Sequence, residues 1–459
     1  MLPAKVFATN KKSIFDFHQG AKMSSTDPTI LLNANNGNLA SILSEDSSIF
    51  QFQGYATTDI FAVDNNAKTK PINQPANFGG QDTFRINKRG GRVHKMWLEI
   101  QITAATLAAA TRAAYVNDLG AAIIESIAAV YASKTIHEWK GEACKAHARL
   151  MYHDVSREAY NAMSFAGLPP GIGGGEAQRE ALVTAAFTLF VPLDWFWFTQ
   201  HEDYALTPEA LASELEIVVN YRRLEQLVYA RDTGTGLTQA IPFAVAPTIS
   251  QARLCTQLIF EPHIQKARNL AGFEEQDGRL FKIADWEEQL RQPILASADP
   301  STVYSVKLNN IRLDSQMLMF YLRSQAVDTP YAVDRMESDP TPTILTGGGS
   351  VAAMTPIISF RLLANGSTLV DTTTDLENRA IWRKHYWPGS QIGEPIYFIP
   401  FSWILRDLRN VTGFQNMANL GNVELEITVA AHPASYLEVR SVSHNAITQK
   451  KGDIVKILR

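Results

Sequence analysis

A sequence pattern that occurs twice decides the fold of this chain. Its first part reads Phe190-Val191-Pro192-Leu193-Asp194-Trp195 and returns, 208 residues later, as Phe398-Ile399-Pro400-Phe401-Ser402-Trp403. Its second part reads Glu214-Leu215-Glu216-Ile217-Val218-Val219 and returns, 210 residues later, as Glu424-Leu425-Glu426-Ile427-Thr428-Val429. Two matches in the same order and at nearly the same offset indicate a duplicated domain, because repetition at a fixed period is the signature of repeated architecture.

Length and charge agree with a duplication. The chain has 459 residues, which is too long for one compact core and suits two domains of about 200 residues each, with tails. Its formal net charge is −4, and 46% of its residues are hydrophobic. A weakly acidic chain of ordinary composition has no basic footprint for specific nucleic-acid binding.

Changes in composition suggest where the domains begin and end. Residues 1–50, rich in Asn, Ser and Lys, are predicted to form an N-terminal arm. We expect a first domain at 51–235, a linker at 236–252 that contains Gly236, Pro242 and Pro247, and a second domain at 253–440. The remaining residues, 441–459, are predicted to form a basic C-terminal tail.

Alternating apolar residues predict a mainly β protein. In residues 92–102, the side chains of His94, Met96, Leu98, Ile100 and Ile102 share one face, as in a half-buried strand. Further strands are expected at 123–139, 187–191, 215–219, 303–308, 317–322 and 357–363. The last ends at Asn365-Gly366, a typical hairpin turn. Many short strands with short helices in the connecting loops, twice over, predict two tandem jelly-roll β-sandwich domains.

Two irregular regions complete the prediction. Residues 141–163 are predicted to be helical, since they carry charged residues and no proline. Residues 166–176 and 328–356 are rich in glycine or proline and are predicted to be surface loops.

The sequence contains no convincing catalytic, cofactor or metal motif. His137-Glu138 and His201-Glu202 each begin a zinc-protease motif, but Gly141 and Ala205 stand where its second histidine is required. The chain has no His-x-His pair of the kind that metal-binding jelly rolls use. The run Gly171-Ile172-Gly173-Gly174-Gly175 follows two prolines instead of a strand, so we interpret it as a loop. We therefore expect no catalytic residue, no cofactor and no metal site.

Cysteine content and hydropathy suggest where the protein folds. The two cysteines, Cys144 and Cys255, are too few for a disulfide framework, which is typical of a reducing compartment. Residues 1–20 lack the apolar run of a signal peptide, and no apolar stretch is long enough to span a membrane. We expect a protein that assembles inside a cell and is not secreted.

Aromatic residues are the best candidates for interface positions. The richest clusters contain Trp195, Trp197, Phe198, Trp382 and Trp387. Large aromatic side chains are enriched at interfaces, so we expect some of these at domain or subunit seams, although a core position or a sugar-binding site would use the same residue types. On this hypothesis, Trp197→Ala weakens trimerisation or domain docking by a few kcal/mol.

Several segments, taken in order, resemble the double jelly-roll major capsid proteins of nucleocytoplasmic large DNA viruses. They lie at residues 84–98, 115–126, 136–139, 190–193, 205–208, 365–366, 397–401 and 414–425. The resemblance covers about residues 50–440. Asn410-Val411-Thr412-Gly413 stands where the family has Pro-Ser-Gly, and Met417-Ala418 replaces its usual Phe-Ser, so the chain resembles a divergent branch.

The resemblance implies a structural protein of the virion. Such proteins form homotrimers, and three chains with two domains each give six similar lobes that tile a shell as pseudo-hexagonal capsomers. Implied partners are neighbouring capsomers, minor capsid proteins and an internal viral membrane, the last two reached through the arm and the basic tail. The glycine-rich loops would face outward. One alternative is a minor or vertex capsid protein of the same fold. The other is a two-domain jelly-roll enzyme that is carbohydrate-active or metal-dependent.

Overall fold

The computed structural model describes most of the chain between residues 62 and 456. Within that range it leaves out residues 74, 89–90, 142, 145–153, 166–175, 200–203, 261–269, 272–278, 326–328, 332–356, 387–395 and 406–411. The predicted N-terminal arm and most of the two glycine-rich loops therefore lie outside the described residues.

The first half of the chain folds into a sandwich of two four-stranded sheets. One sheet has the strand order β1-β12-β3-β8 and the other has the order β2-β9-β6-β7. Two short ribbons, β10-β5 and β11-β4, lie in the long connections. The strands are β1 Ala62–Thr69, β2 Gln81–Ile86, β3 Gly91–Ile102, β4 Thr106–Leu107, β5 Thr111–Tyr115, β6 Ile124–Tyr131, β7 Lys134–Lys140, β8 Phe187–Pro192, β9 Leu215–Tyr221, β10 Val228–Asp232, β11 Phe243–Val245 and β12 Ile249–Phe260.

The second half repeats this architecture. Its larger sheet has the main order β13-β22-β16-β19, to which β14, β20 and β23 add at the edges, and its smaller sheet has the order β15-β21-β17-β18. The strands are β13 Arg279–Glu288, β14 Gln292–Ile294, β15 Thr302–Lys307, β16 Asp314–Ser324, β17 Ile357–Ala364, β18 Ser367–Thr374, β19 Tyr397–Pro400, β20 Gln415–Asn416, β21 Val423–Val429, β22 Ser435–Lys450 and β23 Asp453–Lys456.

The two halves have the same topology. When the eight main strands of each half are counted along the chain, one sheet is ordered 1-8-3-6 and the other 2-7-4-5 in both cases. This is the jelly-roll order, in which sequential strands alternate between facing sheets except for the fourth and fifth, which form a hairpin in one sheet. The repeated pattern falls on equivalent strands, since 190–192 and 398–400 lie in the sixth strands and 215–219 and 425–429 in the seventh. The predicted duplication and fold class are confirmed.

Side-chain alternation explains why the seventh strands are so alike. Both strands have a strictly alternating burial pattern, with every second residue facing a core. Leu215, Ile217 and Val219 are buried in the first half. Their counterparts Leu425, Ile427 and Val429 are buried in the second half. The interleaved glutamates are at least partly exposed, as expected for strands with one face on a core.

Two-residue turns close equivalent hairpins in the two halves. Asn365-Gly366 connects β17 to β18, and both residues have positive φ, 50° and 79°, as the sequence predicts for a tight hairpin. Ala132-Ser133 connects β6 to β7 with φ of 47° and 63°, a conformation that these residue types rarely adopt. The prediction of one strand over 123–139 is therefore wrong, because the surrounding sheet imposes a turn that the sequence does not announce.

Helices occur only in the connections of the described chain. They are α1 Leu119–Ile123, α2 Asp154–Ser164, α3 Glu176–Val183 and α4 Arg383–Tyr386, the last preceded by a π-helical turn at Glu377–Trp382. Short 3-10 turns lie at Pro208–Ala210, Leu224–Gln226 and Ala418–Leu420. The predicted helix at 141–163 is described at its beginning and from Asp154 onward, where the structure is helical.

Strand pairing corrects two of the expected boundaries. Residues 253–260 were expected to begin the second domain, but β12 pairs with β3 along almost its whole length and belongs to the first jelly roll. Residues 441–459 were expected to form a tail. Residues 441–450 instead complete β22, and β23 pairs back on its end. This segment can join the sheet because Val442, Ile447 and Ile454 are buried in it, while Lys450 and Lys451 are exposed at the turn between β22 and β23.

The alternating burial of β21 leads to a stability prediction. Ile427 is fully buried in the core of the second jelly roll. Ile427→Ala should lower the free energy of unfolding by about 2–5 kcal/mol, through lost transfer energy and a residual cavity. Thr428→Ala, on the opposite face of the same strand, should change it by less than about 1 kcal/mol. Urea unfolding of both variants checks this, and equal losses would contradict the assignment of faces.

Candidate assembly interface

The two jelly rolls contact each other along a surface that we call the seam. The first jelly roll contributes β7, its outermost strand, and the segment 204–210, which follows the sixth strand. The second contributes β13, the end of β22, and β23. Across this seam Trp139 packs edge-to-face on Trp286, with ring centroids 5.4 Å apart, and Tyr204 packs on Phe281 at 5.3 Å.

Hydrogen bonds join the backbones on the two sides of the seam. The Tyr131 hydroxyl donates to the Gly452 carbonyl at 2.5 Å. The Gly452 amide donates to the Ala210 carbonyl at 2.6 Å. The Gln449 side-chain amide donates to the Thr207 carbonyl at 3.3 Å. The turn between β22 and β23 is therefore fixed to the first jelly roll as well as to its own sheet.

The apolar core of the first jelly roll continues across the seam. Phe281, Ile283, Ile447 and Ile454 of the second half belong to the same buried cluster as the first core. The second jelly roll has its own core between its two sheets. A core shared by two domains fixes their relative position, because separating them would expose buried apolar surface.

A buried histidine lies at the centre of the seam. His137 is 1% exposed and is surrounded by the rings of Trp139, Phe196 and Trp197. Trp139 Nε1 donates a hydrogen bond to His137 Nε2 at 3.1 Å, which requires an unprotonated Nε2. Burial lowers the pKa of His137 to about 4, although nearby Asp285 opposes this shift. The imidazole is therefore neutral at physiological pH.

Asp285 supplies the negative charge beside this histidine. Its Oδ1 lies 3.7 Å from His137 Nε2, its carboxylate is paired with Lys456, and Asn445 Nδ2 donates to its Oδ2 at 2.8 Å. Burial raises the pKa of Asp285, but His137, Lys456 and the hydrogen bond from Asn445 together bring it below its usual value. The aspartate thus stays charged inside the seam.

An ion network extends the seam into the second jelly roll. The carboxylate of Glu438 is bound by Arg440 Nη2 at 3.0 Å, by Arg323 Nη1 at 2.8 Å and by Arg291 Nη2 at 3.1 Å. Arg440 Nη2 also lies 3.0 Å from Glu288 Oε1.

Lys140 extends this network into the first jelly roll. The lysine reaches across the seam and pairs with the carboxylate of Glu288. Burial raises the pKa of Glu288, but the Arg440 charge and contacts with Lys140 lower it below its ordinary value. The network therefore connects charged groups of both jelly rolls.

A recess of about 340 Å³ opens beside this network. It is lined from the first jelly roll by residues that include Thr135, Glu138 and Lys140, and from the second by residues that include Asp285 and Glu288. The carboxylates of Asp285 and Glu288 are already paired with Lys456, Arg440 and Lys140. We interpret the recess as the polar mouth of the seam.

The predicted interface residues differ in how deeply they are buried. Trp195, Trp197 and Phe198 are fully buried in the cluster that spans the seam, so they have no surface left for a second subunit. Trp195 packs near Trp139, with ring centroids 6.2 Å apart. Trp382 is partly buried and packs on Phe360 and Phe398. Trp387 lies outside the described residues.

Sequence reasoning missed the polar residues of the seam. His137 stood out only as part of a zinc-like motif, but it lies on strand β7, where a helical spacing has no meaning. Arg440 is the last residue of the expected second domain and was given no role there, although it is 1% exposed. No local signal marks either residue, because their partners come from distant parts of the chain.

The described residues were also searched for metal ligands, disulfides and membrane-spanning helices. They contain no group of three or more His, Cys, Asp or Glu side chains that could hold a metal ion. Both cysteines are buried and neither forms a disulfide, and burial raises the pKa of Cys255 to about 11. None of the helices in the described part of the chain is long and apolar enough to cross a bilayer.

Acidification should weaken the protein through His137. In the folded state its pKa is about 4, whereas an exposed imidazole in the unfolded chain has its ordinary value of 6.5. Between these values the unfolded chain binds more protons, so the free energy of unfolding should fall as pH falls from 6.5 to 4, by up to about 3 kcal/mol. Urea unfolding across this range should show a shallower pH dependence for His137→Gln. Identical profiles would contradict it.

Loss of Arg440 should be costly because its partners remain buried. Arg440→Ala leaves Glu438, itself 3% exposed, with a weakened set of counter-charges. We expect the free energy of unfolding to fall by about 3–5 kcal/mol. Lys307→Ala, which breaks an exposed pair with Glu424, is the matched control and should cost less than about 1 kcal/mol. Thermal unfolding distinguishes the two, and similar losses would show that the network contributes little.

Comparisons with known proteins agree with this architecture. Residues 48–261 match the family model described as the major capsid protein N-terminus. No curated protein matches the sequence. Among solved structures, VP54 of PBCV-1, fitted into a reconstruction of the virophage Sputnik, matches with a TM-score of 0.65 and 14% identity, covering 89% of this chain and 100% of that one.

Two further structures match over similar lengths. The Faustovirus major capsid protein has a TM-score of 0.65 and 12% identity, covering 92% of this chain and 97% of its own. A chain of the Sputnik virophage has a TM-score of 0.57 and 9% identity, covering 89% of this chain and 90% of its own. At such identities the likeness shows a shared fold along both jelly rolls. Both halves of the chain therefore share the fold of these solved capsid proteins, and the first jelly roll also matches the family model of the major capsid protein N-terminus.

Proposed function

We propose that this chain is the major capsid protein of a large icosahedral DNA virus, and that three copies form a pseudo-hexagonal capsomer that tiles the shell. The observation that carries the proposal is the repeated 1-8-3-6 and 2-7-4-5 strand order within one chain. Two lobes of one topology, repeated by a three-fold axis, give six similar lobes around a ring. Such a unit can occupy a hexagonal lattice while keeping true three-fold symmetry.

The seam supports this role because a tile must hold its shape. Trp139 and Trp286, the shared apolar cluster, and the pair of Lys140 with Glu288 connect the two lobes. Breaking such a seam would expose aromatic and aliphatic surface to water. The two lobes therefore act as one rigid body, as a lattice unit requires.

We extend the proposal to partners outside the capsomer. Neighbouring capsomers are implied by a closed shell, and minor capsid proteins and an internal membrane are proposed at its inner face. The arm at residues 1–50 lies outside the described residues. Part of the basic tail is occupied within the fold, since Lys456 pairs with Asp285. The inner-face proposal for the tail therefore concentrates on the turn at 450–452, where Lys450 and Lys451 are exposed.

The main proposal has a direct test. Size-exclusion chromatography with light scattering should give a mass three times the 50.9 kDa of one chain, and negative-stain images should show a six-lobed ring with three-fold symmetry. A monomer that copurifies with a metal ion would favour the enzyme alternative instead. Copy number in purified particles separates a major subunit, which supplies most of the shell, from a minor or vertex protein.

A further inference from the structure

The intrachain seam shows which surface one jelly roll uses to dock on another. On the first jelly roll this surface consists of the fifth strand β7, the hairpin turn before it, and the segment that follows the sixth strand. The aromatic residues 195–198 belong to that segment and are fully buried. On the second jelly roll the receiving surface consists of the first strand β13 with the end of the eighth strand β22 and with β23.

The second jelly roll has an equivalent docking surface that nothing covers within the described chain. Its parts are the fifth strand β18, the turn at 365–366 and the segment after β19. Trp403 stands three residues after a proline, as Trp195 does, but it is 80% exposed where Trp195 is 0% exposed. Ile404 and Phe414 in the same segment are 48% and 50% exposed. Apolar side chains grouped in this way mark an interaction surface.

The first jelly roll has an equivalent receiving surface. Its first strand is β1, which pairs with β12 on one side and, among the described strands, has no partner on the other. β18 is likewise the last strand of its sheet, with β17 as its one described neighbour. One pair of opposite charges is available on these two edges, since Lys70, directly after β1, and Asp371 on β18 are both exposed. The intrachain seam also joins a lysine to a carboxylate, with the signs reversed, since Lys140 of the docking strand pairs with Glu288 of the receiving strand.

We propose that the surface of Trp403, Ile404, Phe414 and β18 docks on the β1 edge of the first jelly roll of a second copy of this chain. The contact between chains thus repeats the contact within the chain. A ring in which first and second jelly rolls alternate needs one contact within each chain and one contact between chains. Because the two domains are duplicates, we expect both contacts to use equivalent surfaces. This inference rests on the proposed trimer and identifies the side chains that form it.

The first experiment measures assembly of the full-length protein. Trp403→Ser and Ile404→Ser, alone and combined, should raise the dissociation constant of the oligomer at least tenfold, seen by mass photometry as monomer where the wild type is trimeric. The monomers should keep their melting temperature, because these side chains are exposed within one chain. Val303→Ser is the matched control. Val303 is 61% exposed on β15, which lies at the edge of the smaller sheet opposite to β18. It should leave the oligomer unchanged.

The second experiment locates the contact. Oligomers co-assembled from nitrogen-15-labelled and unlabelled chains are treated with a zero-length carbodiimide, and mass spectrometry identifies the joined peptides. We expect links between different chains that join Lys68 or Lys70 on the β1 side to Asp371 or Glu377 on the β18 side.

The outcomes separate this inference from the proposed function. A trimer that persists in both variants, with cross-links between other surfaces, would overturn the inference and leave the proposed capsid function valid. Links from the Trp403 segment to residues 1–61 of the same chain would also overturn it, because the arm would then be the occupant. A wild type that never oligomerises would overturn both.

Discussion

The contact between Trp139 and Trp286 is the constraint on which the rest of the molecule depends. Each jelly roll alone is a sandwich with its own facing sheets, and nothing in that architecture fixes how two of them are placed relative to each other. The two indoles, with the apolar residues around them, merge one core with the outer surface of the next sandwich. A rigid two-lobed unit and a ring of six similar lobes both require that the two jelly rolls be placed in the same way in every copy.

Charge adds specificity to a seam that apolar burial stabilises. Burying Asp285, Glu438 and Arg440 costs desolvation energy, which pairing offsets without a large net gain. A purely apolar seam would tolerate small shifts of one sandwich over the other, because dispersion has little directionality. The pair of Lys140 with Glu288 and the hydrogen bonds from Tyr131 to Gly452 and from Gln449 to Thr207 tolerate far less. We infer that these polar contacts set the angle between the lobes and the apolar cluster sets their affinity.

Much of the fold could be predicted from the sequence, because the signals that specify it are local. The alternation around Ile217 and Ile427 announces strands, and its recurrence announces the duplication. The turn at Ala132-Ser133 could not be predicted, since its conformation is imposed by the pairing of β6 with β7. The interface was harder still. Trp195 and Trp403 have closely similar local sequences and opposite exposure, because burial depends on which distant surface lies above them.

The path of the chain through the seam also constrains how the protein is made. Tyr131 and Gly452, whose hydrogen bond fixes the last turn to the first jelly roll, are 321 positions apart. Ile447 and Ile454 belong to a buried apolar cluster, aromatic residues included, most of whose other members leave the ribosome far earlier. An unfinished chain would expose that cluster, and surfaces of this kind aggregate. A chain therefore covers its own aromatic residues at the seam only after the strands at 435–456 have been made.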